Sequence, residues 1–388
     1  MTAFVEHPLY VFALLNLSIF AMEWLSQKSL FRYLGTALLV ILTGALLANL
    51  GIIPSASNSI ALYSGIFTFL APLSIFYLLL EVNLKSLKKA GLPMLTLFFL
   101  GTAGTAVGAF TGVHLLDGAT AFGENYKAIA GMFTGTYIGG SVNFNALAIH
   151  YNMMEQGTVY AGAVAVDNVI TTFWMVVCIA VPKIAGMFFK NKKQIMEQPD
   201  IESAVSDEQQ DEVSISPKSI GILLFLGSAA MFVSEISTKF LSDYGIDIPS
   251  ILIITTIALV LAQVKYITQL KGSRLLGLYS VYLFLIVIGA YCEIAAMTSI
   301  GILAINLLVF ALILVLVHAV FVFGIGSLLK FDSEMLSIAS QANIGGSSTA
   351  LALAKSFNRK DLLLPGILVG SLGNGVGTYI AFLVAGLI

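Results

Sequence analysis

Long runs of apolar residues alternate with short polar connections along the chain. Because a helix that crosses the hydrocarbon core of a bilayer needs about 20 mostly apolar residues, each such run predicts a membrane helix. The runs form two groups of six and predict an all-α polytopic membrane protein with about 11–13 transmembrane segments. The expected segments are 9–24, 33–50, 60–80, 92–115, 128–149, 159–181, 220–236, 251–264, 275–291, 300–329, 336–354 and 362–387.

The composition strengthens this assignment. Hydrophobic residues make up 58% of the chain and charged residues only 10%, against about 25% charged in an average soluble domain. The formal net charge of −2 and the lack of a basic patch argue against nucleic acid as a partner. Cys178 and Cys292 lie in apolar runs, so we expect packed thiols and neither a disulfide framework nor a metal site. Glu6 and His7 precede the first run without a basic region, which favours a retained helix over a signal peptide.

A charged stretch separates the two groups of apolar segments. Lysines between Lys190 and Lys193 are followed by seven acidic residues between Glu197 and Glu212, with few aromatic residues. Such a composition is typical of a flexible tether. The predicted domains are a first repeat at 1–182, a polar linker at 183–217 and a second repeat at 218–388.

A glycine-rich motif in the fifth segment occurs again in the eleventh. Residues 134–150 read T-G-T-Y-I-G-G-S-V-N-F-N-A-L-A-I-H, and residues 343–354 read N-I-G-G-S-S-T-A-L-A-L-A. The two copies are offset by 206 residues, and the same offset places Asp167-Asn168 on Gly373-Asn374. Matched motifs in matched segments predict a duplication, and the Gly-Gly pair predicts a break in each helix.

The positive charges bear on whether the repeats are parallel or inverted. Lysine and arginine favour the cytoplasmic side, and they cluster at 28–32, 85–89, 183–193 and 265–274. If every segment crosses, the second and third clusters lie on opposite sides. Six crossings per repeat would also make the repeats parallel, whereas inversion needs an odd number. One re-entrant segment or one hidden helix between residues 90 and 217 would remove both conflicts, and we favour inversion.

Two discontinuous helices that cross would build a polar site at membrane depth. Each break exposes carbonyl groups on one side and the partly positive N-terminus of a half-helix on the other. Neutral oxygen and nitrogen ligands around the breaks suit a sodium ion or a polar solute. The alternative is that the Gly-Gly-Ser motifs only allow close helix packing. The expected binding residues at the breaks are Thr136, Gly139, Gly140, Ser141, Asn143, Asn145, Gln341, Asn343, Gly345, Gly346, Ser347, Ser348 and Thr349.

Asp167 is the most specific single residue, because it lies near the middle of an apolar segment in A-V-A-V-D-N-V-I. An acid at the centre of a membrane helix costs about 2.5–3.5 kcal/mol on insertion scales, so it usually has a task or a partner. We expect Asp167 and Asn168 to bind an ion, with Asn374 as the matching residue of the second repeat. A sodium ion would be held by Asn143, Asp167 and Asn343. The alternative is a protonated structural aspartate packed against Asn168.

Two further groups of residues allow a functional or a structural interpretation. His318, in L-V-H-A-V-F, is either a packed histidine, which we favour, or part of a proton relay. Lys355, Arg359 and Lys360 either attract anions to an entrance or belong to a plain loop, which we favour. The sequence has no Walker loop, zinc-binding spacing or serine elbow, so we expect no enzyme and no cofactor other than a coupling ion.

Three stretches resemble known membrane protein families. Residues 81–91 (E-V-N-L-K-S-L-K-K-A-G) are similar to the segment that closes the third helix of cation/proton antiporters. A-V-A-V-D-N-V-I resembles the antiporter helix that carries a paired Asp-Asp or Asn-Asp. T-G-T-Y-I-G-G-S-V-N-F closely resembles the YjcL-like bacterial membrane proteins, a family with a domain of unknown function, and this resemblance spans nearly the whole chain. The wider group includes bile-acid sodium symporters and auxin carriers.

This resemblance implies inverted repeats, a pair of crossed discontinuous helices, and a core domain that moves against a panel. The panel helices would lie at 9–82 and 218–293, and the core helices at 90–182 and 300–388. Asp167 and Asn168 would correspond to the ion-carrying pair. The sequence departs from the antiporters in its Asp-Asn order, and no lysine lies in the apolar part of the last helix. These departures argue against simple sodium/proton exchange and leave room for solute transport.

The sequence as a whole predicts a secondary active transporter that works by alternating access in the bacterial cell (inner) membrane. We expect a sodium- or proton-coupled symporter of a small anionic organic solute, because half-helix N-termini attract anions. One alternative is a cation/proton antiporter without an organic substrate. Another is a membrane scaffold or sensor whose broken helices serve only packing. The expected partners are the solute, the lipid bilayer and a second copy of the chain bound through the panel helices, with no nucleic acid.

Overall fold

The computed structural model describes residues 6–28, 31, 35–82, 84–188, 215–246, 248–292 and 300–388. All regular structure within these ranges is helical, which confirms the predicted all-α class. Each apolar segment predicted from the sequence contains helix, and the observed ends differ from the expected ones by only a few residues in most cases. Most of the predicted linker, residues 189–214, lies outside the described residues.

Fourteen main helices carry the described part of the fold. They are α1 (Pro8–Ser26), α2 (Gly35–Asn49), α3 (Ala61–Leu79), α4 (Leu92–Leu116), α5 (Tyr126–Gly139), α6 (Ser141–His150), α7 (Gly157–Phe188), α8 (Pro217–Asp243), α9 (Ser250–Leu261), α10 (Ser273–Ala290), α11 (Ile300–Ala319), α12 (Ser333–Ile344), α13 (Gly346–Ser356) and α14 (Lys360–Leu387). A π-helical turn interrupts α3 at Ile66–Leu70, and another at Val320–Ile325 joins α11 to the helical turn Gly326–Leu328. Short helical turns at Ala56–Asn58, Leu84–Ala90, Gly118–Phe122, Gly123–Asn125, Met153–Glu155 and Lys265–Thr268 lie in the connections.

Eight helices in the described ranges are long and apolar enough to cross a membrane, by length and composition. They are α1, α3, α4, α7, α8, α10, α11 with its continuation, and α14. The protein is therefore a polytopic membrane protein, as predicted. The described ranges also contain two shorter apolar helices, α2 and α9.

Two contacts show on which side of the membrane the chain lies after α2 and after α9. Asn58, just before α3, donates a hydrogen bond to Glu6, just before α1, at 3.4 Å. Because α1 crosses, α2 must return the chain to the same side. A Cβ placed on Gly272, just before α10, would lie 3.5 Å from a methyl carbon of Ile215, just before α8. The same argument makes α9 a return crossing after α8.

Helices α5 and α6 form a re-entrant hairpin, called hairpin 1. The Asn143 amide donates to the Gly135 carbonyl at 3.2 Å, and a Cβ placed on Gly131 would lie 3.1 Å from the Leu147 side chain. Residues eight apart in a straight helix are about 12 Å apart. These contacts therefore require the chain to turn back at Gly140.

Helices α12 and α13 form hairpin 2 in the same way. The Thr349 hydroxyl donates to the carbonyl of Gln341, eight residues earlier, at 3.4 Å. A Cβ placed on Gly366 would lie 3.1 Å from the Ile338 side chain and 3.5 Å from that of Ala350, so both halves of the hairpin border one residue of α14. The discontinuous helices expected to cross are thus helical hairpins instead. The physical reason is that a glycine with a positive φ at each break lets the chain reverse.

Hairpin 1 lies along the second half of α14. At its tip, Gly139 packs so closely on Gly373 that a Cβ on either residue would overlap the backbone of the other. Nearer its base, a Cβ placed on Gly131 would lie 3.1 Å from Cβ of Ala385. The tip therefore lies at the middle of α14, and the base lies at the C-terminal end of that helix.

Hairpin 2 lies along the first half of α14. A Cβ placed on Gly370 would lie 2.5 Å from the backbone nitrogen of Ser347 at its tip. At its base, Arg359, just before α14, pairs with Asp332, just before α12, at 2.5 Å. The two hairpins therefore reach the middle of α14 from opposite ends. Since α14 is long enough to cross the membrane, they approach from opposite sides.

Glycines also set the closest crossings among the other helices. A Cβ on Gly44 of α2 would overlap the carbonyl of Ile286 in α10, and a Cβ on Gly289 of α10 would overlap the carbonyl of Ile41 in α2. Helix α4 packs along α11 through a row of glycines that includes Gly108. Small residues allow such close backbone approach, which compensates for the weak hydrophobic drive between helices in lipid.

Candidate ion and solute site at two re-entrant hairpins

The tip of hairpin 1 is built from Gly139 and Gly140. Gly140 has a φ of +101°, a conformation that residues with a Cβ rarely adopt. Gly139 lies against Gly373, and there is no room for a side chain between them. The first glycine thus allows close approach to α14 and the second allows the chain to reverse, which explains why the sequence pairs them.

The tip of hairpin 2 touches the tip of hairpin 1. Gly346 has a φ of +76°, and a Cβ placed on it would lie 3.7 Å from the carbonyl oxygen of Gly139. Carbonyl groups at the ends of α5 and α12 and N–H groups at the starts of α6 and α13 therefore surround one region near the middle of α14. The partial charges of these helix ends suit both a cation and an anion.

Two of the expected binding residues fasten hairpin 1 to its neighbours. The Asn143 amide donates to the carbonyls of Gly135 and Gly373 at 3.2 and 3.1 Å and accepts from the Thr378 hydroxyl at 2.8 Å. The Asn145 oxygen accepts from the Tyr160 hydroxyl at 2.5 Å. Both asparagines are buried. The Asn143 amide and the Asn145 oxygen have partners within the protein, so these residues hold the hairpin against α14 and α7.

Replacing Asn143 with alanine should lower the free energy of unfolding by about 2–3 kcal/mol, because two carbonyls and one hydroxyl would lose a buried partner. Thermal unfolding of the purified protein would measure the loss. Asn168→Ala is the control, since the described hydrogen bond of Asn168 runs to the Val164 carbonyl of its own helix. Equal stability of the two variants would contradict the fastening role.

Asn343 occupies the space between hairpin 2 and α4. Its side chain is fully buried, and one end lies 3.2 Å from the Thr102 hydroxyl. In the orientation that satisfies both ends of the amide, the nitrogen donates to the carbonyls of Phe98 and Ala339, and the oxygen accepts from Thr102. The expected sodium ligands Asn143 and Asn343 thus have structural partners, and the described hydrogen bonds link neither of them to Asp167.

Asp167 projects from the middle of α7 toward hairpin 1. Its carboxylate oxygens lie 3.4 and 3.5 Å from the Thr136 hydroxyl, which donates to them. The side chain is partly exposed. Among the described residues, no lysine, arginine or histidine forms an ion pair with it. An acid without a cationic partner at this depth is the expected form of a site that takes up a cation.

The remaining expected residues lie at the two tips and differ in exposure. Ser141 and Ser348 are exposed, while Ser347 and Asn374 are partly buried. The Asn374 oxygen lies 3.8 Å from where a Cβ on Gly140 would be, so the second-repeat asparagine borders the tip of hairpin 1. Their role in binding stays a prediction.

Gln341 differs from the asparagines, because its amide has no hydrogen-bond partner among the residues that the structure describes. It is fully buried, and neither its nitrogen nor its oxygen forms a hydrogen bond within the described residues. The hydroxyl of Ser337, one turn earlier on α12, is also buried and unbonded. A buried polar group left without a partner costs about 1–3 kcal/mol. The first half of hairpin 2 therefore carries unsatisfied polar atoms that a ligand could satisfy.

Comparison with known proteins agrees with this membrane architecture. Residues 10–388 match the family described as "Protein of unknown function (DUF819)". The chain belongs to this family. It is also similar to a Bacillus subtilis (strain 168) protein named "Uncharacterized membrane protein YjcL", with 25% identity over 358 residues, which cover 88% of this chain and 87% of the relative. The resemblance to YjcL-like proteins is thereby confirmed, while the wider grouping with antiporters and bile-acid symporters stays a prediction.

The DUF819 chain also contains a buried polar network below the tips that sequence reasoning missed in part. Trp174 of α7 donates to the Ser340 hydroxyl at 2.9 Å, and that hydroxyl lies 2.9 Å from Nε2 of His318. Nδ1 of His318 lies 3.0 Å from the Gly101 carbonyl, which can only accept, so this nitrogen carries the proton. Both ring nitrogens of His318 thus have hydrogen-bond partners within the protein, which agrees with the packing interpretation. Only contacts far apart in sequence reveal Ser340 and Trp174 as its partners.

Arg359 belongs to an ion-pair cluster at the base of hairpin 2. Its guanidinium pairs with Asp332, Glu334 and Asp361 at 2.5, 3.0 and 2.8 Å. Burial alone would lower the pKa of Arg359, but hydrogen bonds to the three carboxylates raise it, so the residue stays charged. An arginine with three carboxylate partners does not attract anions to an entrance. Among the three cations considered for that role, Lys355 and Lys360 are exposed.

Proposed function

We propose that this protein is a secondary active transporter that carries a small anionic organic solute by alternating access, driven by sodium or protons. The main support is the meeting of two hairpins from opposite ends of α14, beside the acid Asp167. Broken helices at membrane depth are tolerated inside protein or next to a water-filled cavity, and in transporters they surround the binding sites. Such an arrangement would place one binding site where it can open alternately to the two sides of the membrane.

An inverted arrangement of the repeats would agree with the charge pattern. If neither hairpin crosses the membrane, each group of segments has five membrane crossings, an odd number. The clusters at 28–32, 85–89, 183–193 and 265–274 then follow one, three, five and seven crossings. All four would lie on one side, which the positive-inside rule makes cytoplasmic. Hairpin 1 would enter from the outside, and hairpin 2 from the cytoplasm of a cell whose inner membrane holds the protein.

Asp167 would carry the coupling cation. Its carboxylate, the Thr136 hydroxyl and the carbonyl groups at the tips are hard oxygen ligands of the kind that sodium prefers, and a proton could neutralise the same carboxylate. Either cation would remove the net charge of the site and so allow it to pass between the two halves of the bilayer. The half-helix N-termini of α6 and α13 would then hold the anionic solute.

The moving parts would be a core and a panel. The proposed core comprises 90–182 and 300–388, where the hairpins, α4, α7, α11 and α14 pack on one another. The proposed panel comprises 9–82 and 218–293, where the tight crossing of α2 and α10 provides a rigid frame. A homodimer through the panel helices would hold the frame fixed while the core moves.

Asp167→Asn should abolish cation-coupled flux, lowering it at least about tenfold, because the amide has nearly the shape of the acid but cannot neutralise a cation. The full-length protein would be reconstituted in liposomes, and flux would be followed after a sodium gradient or a pH jump, with and without a mixture of organic anions. Asp243→Asn, a change of an exposed acid at the end of α8, is the matched control and should transport normally.

The same measurement separates the alternatives. Flux of cations without any organic anion would favour a cation/proton antiporter, which the similarity of A-V-A-V-D-N-V-I to the antiporter helix supports. Anion uptake that requires sodium or protons would favour the symporter. No flux under any condition, together with unchanged stability in all these ligands, would leave a scaffold or sensor as the remaining function.

A further inference from the structure

The amide of Gln341 lies directly at the tip of hairpin 2. Its nitrogen is 2.5 Å from the position that a Cβ on Gly345 would occupy, and the Thr349 hydroxyl borders the same position. Gly345 is the N-cap of α13, a helix of 11 residues. The side chain therefore lies beside Gly345, one turn further along the chain, where α12 ends and α13 begins.

The start of α13 lacks the groups that usually satisfy a helix N-terminus. Gly345 has no side chain that could cap the helix, and no acidic residue lies in the first turn. The first N–H groups of any α-helix have no partner within that helix. The unbonded, fully buried Gln341 amide thus lies beside the start of a helix that has no capping side chain and a partial positive charge.

The two hairpins differ at this point. In hairpin 1 the amide nearest the tip, Asn143, has all its partners inside the protein, namely Gly135, Gly373 and Thr378. In hairpin 2 the amide of Gln341 has none within the described residues. The side-chain amide at the tip of hairpin 1 is therefore satisfied by the protein, whereas the side-chain amide at the tip of hairpin 2 offers a donor and an acceptor to a ligand. The asymmetry assigns recognition of the solute to hairpin 2.

We propose that the tip of hairpin 2 binds a carboxylate group of the transported solute, with Gln341 as its specificity-determining residue. One carboxylate oxygen accepts from the Gln341 amide nitrogen, and the other accepts from the free N–H groups at the start of α13. The Gln341 oxygen then accepts from a donor on the solute or contacts the coupling cation. This inference rests on the proposed transport function and names the residue that selects the solute.

The test is ligand-dependent thermal stability of the full-length protein in detergent with sodium present. The compounds are acetate, succinate, citrate, glycine and L-glutamate, each compared with its uncharged amide. At least one carboxylate should stabilise the wild type, and its amide should not. Gln341→Leu should raise the half-saturating concentration of that carboxylate at least about tenfold, since a hydrogen bond to a charged group is lost. Gln341→Glu should raise this concentration further, because the carboxylate of the new side chain repels the carboxylate of the solute.

Gln156→Leu is the matched control, since Gln156 is an exposed glutamine at the base of hairpin 1. It should bind the carboxylate like the wild type. If Gln341→Leu does not fold, Gln341→Glu decides the matter, because it is nearly isosteric with glutamine. The proposal is overturned if the amides bind as well as the carboxylates, if no carboxylate binds, or if both Gln341 variants bind like the wild type.

These outcomes are distinct from failure of the proposed function. Cation-coupled flux that continues while no carboxylate binds would retain a transporter but remove the carboxylate site. Normal carboxylate binding by the Gln341 variants would retain the symporter and place its solute site elsewhere. Absence of both flux and binding would remove the transport function and this inference together.

Discussion

Gly139→Ala is expected to be the most damaging single-methyl change in the protein. A Cβ at this position would overlap the carbonyl of Gly373 and approach the backbone nitrogen of Asn374. Overpacking usually costs about 1–3 kcal/mol when side chains can move aside. Here both partners are backbone, so neither can move without displacing hairpin 1 or α14. We therefore expect a loss of at least about 3 kcal/mol in the free energy of unfolding, and no transport.

The measurement is thermal unfolding of the purified variant, followed by flux in liposomes. Gly221→Ala is the matched control, because a Cβ at Gly221 of α8 would meet nothing within 4 Å. Alanine is the better helix former by about 0.5–1 kcal/mol, so that variant should be as stable as the wild type or slightly more stable. A folded, active Gly139→Ala protein would show that the tip of hairpin 1 does not pack on α14 in the way described.

The sequence was sufficient to predict the helical segments, but not to decide whether a segment crosses the membrane or folds back on itself. Segment bounds followed from apolar length, and the glycine breaks followed from their duplication. Residues 128–149 are long enough to cross as one broken helix and also to fold back as two short halves. Local composition is the same in both cases. The contact of Asn143 with Gly135 shows that the chain folds back. Hydrogen bonds of Asn143 to Gly373 and Thr378, about 230 residues away in the chain, then fasten the hairpin to α14.

The sequence predicted which polar residues lie near the candidate site, but not which of them bind a ligand and which hold the structure together. Every polar residue near a Gly-Gly pair was an equally good ligand until its partners were known. The structure separates Asn143, Asn145 and Asn343, whose amides are engaged, from Gln341, whose amide is not. Which amide is engaged depends on neighbours supplied by other helices, and one sequence without its three-dimensional contacts does not contain that information.

Arg359→Met is expected to release the base of hairpin 2. Arg359 and Asp332 are only 5% and 4% exposed, and the guanidinium is shared by three carboxylates. Removing one partner of a buried ion pair costs about 3–5 kcal/mol, because the remaining charges stay buried without compensation. Asp332 also caps α12 by accepting from the backbone nitrogens of Glu334 and Met335, so its displacement would loosen the first turn of the hairpin.

Thermal unfolding of the full-length protein should show this loss of stability. Lys355 is an exposed cation on the same hairpin, so Lys355→Met should leave the stability nearly unchanged. Arg359→Lys should recover only part of the stability, since lysine keeps the charge but not the fork that reaches several carboxylates. Hairpin 1 offers a contrast, because its base is closed by the exposed amide pair Asn125 and Gln156. Asn125→Ala should therefore cost far less than Arg359→Met. If both changes cost the same, the ion-pair cluster is not what anchors hairpin 2, and the two hairpins are equally free to move.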